Sequence, residues 1–336
     1  MNATDLLTLT DEGLYCPQGG FHIDPHLPAE RAVVTHGHAD HCRGGSRALL
    51  ATHETVEIAL TRYGEEAFET AQGLAYGEVL RVGDVDVTFF PAGHVLGSAQ
   101  VLIEHKGRRA VVSGDYKCRP DQSCADFELV PCDLFVTEAT FGLPVFRHPD
   151  ARVEIDKLLA SLKLFPHRSH VVGVYALGKA QRLIAELRAA GYDEPIHIHG
   201  ALRKLCELYE RHGVALGTLE DATVKGGDKD RFRGHLTLAP PSAIADRWSR
   251  RLPDALTGMA SGWMSVRQRV KQRNVELPLI LSDHADWDEL CDTILGTGAE
   301  DVWVTHGRED ALCHWCGVQG IRAQPLSIAG LGEEDE

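Results

Sequence analysis

The string Thr35-His36-Gly37-His38-Ala39-Asp40-His41 sets three histidines and an aspartate within six positions, directly after an apolar run at 32–34. Alternate residues of a strand share a face, so His36 and His38 project together from its end, and Asp40 and His41 follow in the turn. That pattern offers two imidazoles to one metal ion and a carboxylate with an imidazole to a neighbouring one. Imidazole and carboxylate suit zinc, manganese or iron. A lone loop histidine is most simply a surface residue, but four ligand-type side chains at this spacing ask for more. The fold must then bring further ligands from other strand ends to the same place.

Strand-like runs downstream offer them. "VDVTFFPAGH" ends at His94, and "RRAVVSGDY" reaches Asp115 beside a glycine, where a carboxylate can bridge two ions with one oxygen to each. With "AQVLIEH" and "CDLFVTEAT", these runs alternate with turns and with helical stretches such as "ETVEIALTRYG", which predicts an α/β layer structure with polar residues gathered at strand ends. From about residue 145 the rhythm changes to helix, strand, helix, strand, helix through "HVVGVYA", "GKAQRLIAELRAAGY" and "PIHIHG", the order of a parallel-sheet subdomain. The earlier style returns with "LPLILSDHADWDEL" and "EDVWVTHGRED". The expected organisation is one domain over 1–145 and 278–336, interrupted by a second over 146–277.

Charge and cysteine usage narrow the class. A net charge of −15 argues against a protein that coats nucleic acid. It leaves room for a cleft in which a cationic centre or a local basic stretch attracts phosphate. One such stretch runs from Arg247 to Arg273, with seven Arg or Lys residues against Asp254 alone; a solvated helix face explains it equally well. No apolar run approaches the ~20 residues of a membrane span. The N-terminus does not read as a signal peptide, so the nine scattered cysteines are expected to be reduced thiols in the cytoplasm. Cys313 and Cys316 lack the second ligand pair of a structural zinc site and read as helix residues.

In these motifs the chain resembles the metallo-β-lactamase superfamily: "FHIDP" with Asp24, "THGHADH", His94 and Asp115 occur in its motif order. "TEATFG" with Glu138, "LSDHADW" with His284 and "WVTHG" with His306 resemble the acidic, second and third motifs of its β-CASP nuclease branch. Within that branch, "PAGHVLGSAQV", "YALGKAQRL", "APPSA" and "SGWM" are similar to the bacterial ligase-associated DNA exonucleases. The resemblance covers nearly the whole chain. It implies an αββα sandwich with an inserted β-CASP α/β domain, whose pieces "GVYALGKAQRL" and "ASGWMSVR" would line the cleft.

Carried over, one divalent ion (zinc or manganese) would be held by His36, His38, His94 and Asp115, and a second by Asp40, His41, Asp115 and His306. Asp24 would orient a ligand or the water. The pair would supply a hydroxide that attacks phosphorus in line. His284, positioned by Glu138, would stabilise a phosphate oxygen or protonate the leaving oxygen. Lys179, Ser261, Trp263 and Arg267 would contact substrate.

The implied function is a DNA exonuclease acting on single strands or strand ends in repair, associated with an ATP-dependent DNA ligase and a helicase. His306 gives weight to an RNA-processing nuclease, because RNA-acting members of the branch usually carry His there. The long insert argues against a small-molecule thioesterase or β-lactamase. His38, where flavodiiron oxidoreductases usually have Glu, argues against that class, and the full set of expected ligands argues against an inactive scaffold.

Overall fold

The computed structural model describes residues 2–223 and 229–326. These fall into two compact units. Unit 1 takes the described residues up to Pro120, Cys124–Arg147 and those from His284; unit 2 takes Asp121–Ser123 and His148–Asp283.

Unit 1 contains two sheets. One has six strands in the order Thr8–Thr10, Gly13–Cys16, Phe21–Ile23, Arg31–Val33, Ala48–Thr52 and Thr70–Leu74. The other has seven, running Arg322–Pro325, Asp301–Gly307, Leu134–Ala139, Arg108–Val112, Ala99–His105, Val85–Pro91 and Val79–Val82. Period-2 patterning decides which side chains meet. Val85, Val87, Phe89, Val101, Ile103, Leu134 and Val136 face Leu14, Phe21, Ile23 and Val33 in a core between the sheets. The alternate residues Leu102, Val111 and Phe135 face outward, onto Trp287, Leu290 and Ile294 of helix Trp287–Thr297 and Leu312 and Cys316 of helix Glu309–Val318. The first sheet is covered through Leu49, Ala51, Ala59 and Phe68 by helix His53–Tyr63. The layers are therefore helix, sheet, sheet, helix, as the family resemblance implies.

Unit 2 is a sheet of six parallel strands, ordered Leu219–Asp221, Ile196–Ile198, Leu236–Ala239, Ser169–Gly173, Ala255–Ala260 and Leu277–Leu279. Its helices include Ala151–Leu164, Lys179–Ala189 and Gly200–Arg211. The boundary differs from the sequence expectation. Leu277–Leu279 pairs with Ala255–Ala260, so the first unit resumes at His284 rather than near Pro278. "LPLIL" carries the same apolar signature in either sheet, and pairing alone decides which one it joins. Among the described residues no helix is long and apolar enough to cross a membrane.

Candidate metal centre

The ligand-type residues of unit 1 sit where strands end. His36, His38, Asp40 and His41 follow Arg31–Val33, His94 follows Val85–Pro91, and Asp115 follows Arg108–Val112. Glu138 lies in Leu134–Ala139, and His284 precedes helix Trp287–Thr297. The turn before Asp115 depends on Gly114, whose φ is +56° and whose added Cβ would lie 2.6 Å from the Cβ of Thr35.

His306 arrives differently. In the parallel pairing of Leu134–Ala139 with Asp301–Gly307, Glu138 faces Thr305 and Ala139 faces Gly307, so His306 is the extra residue of a bulge. Its φ is +59°, in the left-handed region that side chains seldom adopt. Such bulges re-aim a side chain, and this one points His306 Nδ1 at Asp115 Oδ1, 3.3 Å away. Gly307 is required beside it, because a Cβ there would stand 2.1 Å from the carbonyl oxygen of Ala139.

The donor atoms converge in two sets joined by Asp115. His38 Nδ1 lies 3.2 Å from His36 Nε2 and 3.1 Å from His94 Nε2. Asp115 Oδ2 lies 3.4 Å from His36 Nε2, 3.8 Å from His94 Nε2 and 3.5 Å from His41 Nε2. Asp40 Oδ2 is 3.6 Å from His41 Nε2 and 3.9 Å from His306 Nε2. In each of the groups His36–His38–His94–Asp115 and Asp40–His41–His306, one ligand atom per residue lies within 4.8 Å of all the others.

Hydrogen bonds behind the cluster fix which nitrogen faces it. Asp24 Oδ1 accepts from the Thr35 amide at 2.8 Å, and its Oδ2 accepts from the Thr35 hydroxyl at 2.6 Å and from His41 Nδ1 at 2.8 Å. His41 is thereby held with Nδ1 as its outward donor and Nε2 turned toward the cluster. The single hydroxyl proton of Thr35 is given to Asp24, so Thr35 Oγ accepts from His36 Nδ1 at 3.0 Å, and His36 Nε2 carries a lone pair. His41 Nε2 and Asp40 Oδ1 are buried with no hydrogen-bond partner among the described residues. Bare lone pairs turned toward one another out of water are costly unless a cation sits among them. The donor set of imidazole nitrogens and carboxylate oxygens therefore fits divalent ions such as zinc or manganese.

The electrostatics of the ion-free chain agree. Burial, reinforced by the His41 imidazole, holds His36 well below the ordinary imidazole value, so it is neutral near pH 7. Burial also opposes charge on His41, but Asp115, Asp40 and Asp24 outweigh it and push its pKa well above the usual value. At His306 burial is likewise overcome by Asp115, and the pKa rises. Burial would raise Asp115, yet His41, His306 and His284 hold it well below the carboxylate range. Protons occupy positions that suit a metal cation.

Beside this cluster, His284 Nδ1 donates to Glu138, 3.1 Å from Oε1 and 3.0 Å from Oε2. Glu138 Oε1 also accepts from the Tyr116 amide at 2.8 Å, and the His284 ring lies 4.7 Å from that of His94. A cavity of about 30 Å³ is lined by Asp24, His41, Asp115, Glu138 and His306. Sequence reading did not single out Thr35 or the Tyr116 amide. The repeated Thr-His-Gly string at 35–37 and 305–307 is the only signal that draws attention to Thr35.

The four residues expected to touch substrate lie in unit 2. Lys179 is 1% exposed, with Nζ bonded to the Leu281 carbonyl at 2.9 Å and paired with Asp283 at 3.0 Å, so its charge is already taken up. Ser261 is buried and caps the turn Gly262–Ser265 by accepting from the Trp263 amide. Trp263 is buried under the Arg269 guanidinium, 4.0 Å from its ring centroid. Arg267 is exposed at the start of helix Arg267–Gln272. Cys313 and Cys316 lie within helix Glu309–Val318 as free thiols.

A family model described as a beta-lactamase superfamily domain matches residues 22–198, a span holding Asp24, the 36–41 string, His94, Asp115 and Glu138. The chain belongs to the metallo-β-lactamase superfamily. Among metallo-β-lactamase relatives, a probable DNA ligase of Opitutus terrae is 29% identical over 96% of this chain, which spans 31% of that ligase. A ribonuclease of Thermus thermophilus is 26% identical over 93% of this chain and 89% of its own length. A crystal structure of an Enterococcus faecalis V583 protein of unknown function superposes with a TM-score of 0.57, covering 88% of this chain and 79% of that one at 14% identity, which speaks to the fold alone.

Proposed function

We propose that this chain is a metal-dependent phosphodiesterase of the β-CASP nuclease branch, acting on nucleic acid and by preference on DNA strands or strand ends. Unit 2 is then the β-CASP insert. The observation that carries the reading is the join of the two donor sets through Asp115, beside the Glu138–His284 pair. His36, His38, His94 and Asp115 would hold one divalent ion, and Asp40, His41, Asp115 and His306 the other. Two such ions supply Lewis acidity toward phosphate oxygens and a low pKa for attacking water.

The chain's own residues do the rest. Asp24 and Thr35 lock His41 and His36 in the tautomers that turn Nε2 inward. Glu138 accepts from His284 Nδ1 and orients the ring, so that Nε2 would face and protonate the departing oxygen of the phosphodiester. The preference for DNA draws support from the match over nearly the whole chain to a protein named a DNA ligase, which also supports a functional partnership with an ATP-dependent ligase. The Thermus relative is named a ribonuclease, and that favours RNA as the second reading.

End-labelled DNA and RNA strands of one sequence, each offered with Zn²⁺, Mn²⁺ or Mg²⁺, test the proposal, with Asp115→Ala as control. DNA cleavage by the wild type that Asp115→Ala abolishes is the expected result. A strong RNA preference transfers the function to the second reading. If neither strand is cut with any metal, the nuclease reading fails.

A further inference from the structure

Unit 2 holds a concavity of its own that shares no residue with the histidine–carboxylate cluster. Its volume is about 490 Å³, within the range of small-molecule sites. Gly173 and Gly258 contribute no side chains to its lining, Ile244 and Met259 make it apolar, and Arg250 and Arg273 bring two guanidinium groups. Both arginines come from the basic stretch Arg247–Arg273, neither has a role in the catalytic reading, and both are exposed.

Neither guanidinium has an ion pair or side-chain hydrogen bond among the described residues. None of the acidic residues nearest in sequence pairs with either arginine: Asp246 Oδ1 accepts from the Arg247 amide at 2.6 Å, and the other two face a different arginine. Glu276 pairs with Arg168 at 2.9 Å and 3.0 Å, and Asp254 lies 3.6 Å from the same arginine. In a chain of net charge −15, two cations without a partner lining one cavity favour an anion there. Guanidinium groups match phosphate in shape and donor geometry, and a methionine thioether packs well on an aromatic ring.

We infer that this cavity binds one phosphorylated nucleotide unit, with the phosphate held by Arg250 and Arg273 and the base against Ile244 and Met259. The occupant is one unit of a single strand, a choice that rests on the nuclease reading; a free nucleoside monophosphate carries the same chemistry.

The test uses the full chain in chelator, so that nothing is cleaved. Anisotropy of a labelled single-stranded DNA at several salt concentrations is read beside calorimetric titration of a nucleoside 5′-monophosphate. The double variant Arg250→Gln/Arg273→Gln is compared with Arg47→Gln/Arg322→Gln, which removes two exposed arginines of unit 1 already paired with carboxylates. The pocket variant should weaken strand binding about tenfold and lower the salt slope by about 0.7 for one lost phosphate contact. It should also lose the mononucleotide, while the charge-matched control keeps both. The inference is overturned if the pocket variant binds like wild type, if both variants weaken equally, or if the wild type binds neither ligand. Mononucleotide binding that disappears in the pocket variant, in a chain that cleaves no strand, upholds the pocket and removes the nuclease reading. Strand cleavage with pocket-variant binding unchanged does the reverse.

Discussion

In unit 2, Lys179 and Arg182 face Asp121 and Asp283; in unit 1, Asp40 and Asp115 face five imidazoles. Both groups are buried, with every paired side chain of the first no more than 5% exposed. The first is closed. Asp283 takes Lys179 at 3.0 Å and Arg182 at 2.9 Å, Asp121 lies 3.3 Å from Arg182, and the carbonyls of Leu281 and Ser282 accept from Lys179 Nζ and Arg182 Nη1. Glu186 adds a third carboxylate 3.7 Å from Arg182 Nε, so each cation has a counter-charge although that nitrogen makes no hydrogen bond among the described residues. In the second, acceptors outnumber donors: Asp40 Oδ1 and His41 Nε2 have no hydrogen-bond partner among the described residues. Burial of charge alone therefore does not mark a binding site. A surplus of one kind of lone pair does.

The comparison breaks most sharply at Asp115. Asp115→Asn should remove metal binding, measured by metal content after dialysis, and lower strand cleavage by more than the ~100-fold that loss of an outer-shell partner costs. Retention of two ions per chain in that variant would mean the two donor sets are not joined as described.

The closed cluster should answer in stability. Asp283→Asn leaves two buried cations under-compensated and should cost about 3–5 kcal/mol in denaturant unfolding, because breaking one partner of a buried pair strands the other. Lys179→Met/Asp283→Leu should recover part of that loss, since it removes one of the two stranded cations while Arg182 keeps Asp121. If the double variant is as unstable as the single one, the cluster does more than neutralise itself.

Asp24→Asn sharpens the contrast from behind the open cluster. It weakens the acceptor for His41 Nδ1 and the Thr35 hydroxyl, and metal affinity should fall 10- to 100-fold by competition with a chelating dye. Smallest of all, Arg322→Gln removes exposed ion pairs to Asp301 and Glu300 and should change stability by less than about 1 kcal/mol.

The open cluster was more legible in sequence than the closed one, for a physical reason. Metal-ligand types at strand ends leave a short-range trace, as in the 36–41 string, and a β-strand makes their relative direction predictable. Glu138 and His284 carry no such trace and rest on the family likeness. Lys179, expected at the substrate, is instead paired with a residue far along the chain, and Arg182 meets the same Asp283 at a separation of 101 residues. No local pattern announces that pairing. The reach of unit 2 to Asp283 is hidden for the same reason, since it depends on the pairing of Leu277–Leu279 with Ala255–Ala260.

The bulge at His306 sets a rule for how such a chain tolerates change. The segment between Arg147 and His284 can lengthen or shorten without moving this histidine, because Asp301–Gly307 finds its place by pairing with Leu134–Ala139. What cannot vary is the count of residues inside that pairing. Deleting one residue there would restore a regular ladder, relax the backbone and turn the imidazole to the wrong side of the sheet. Insertions and deletions should therefore be abundant throughout unit 2 and absent from one stretch of seven residues, where a more comfortable strand would be an inactive one.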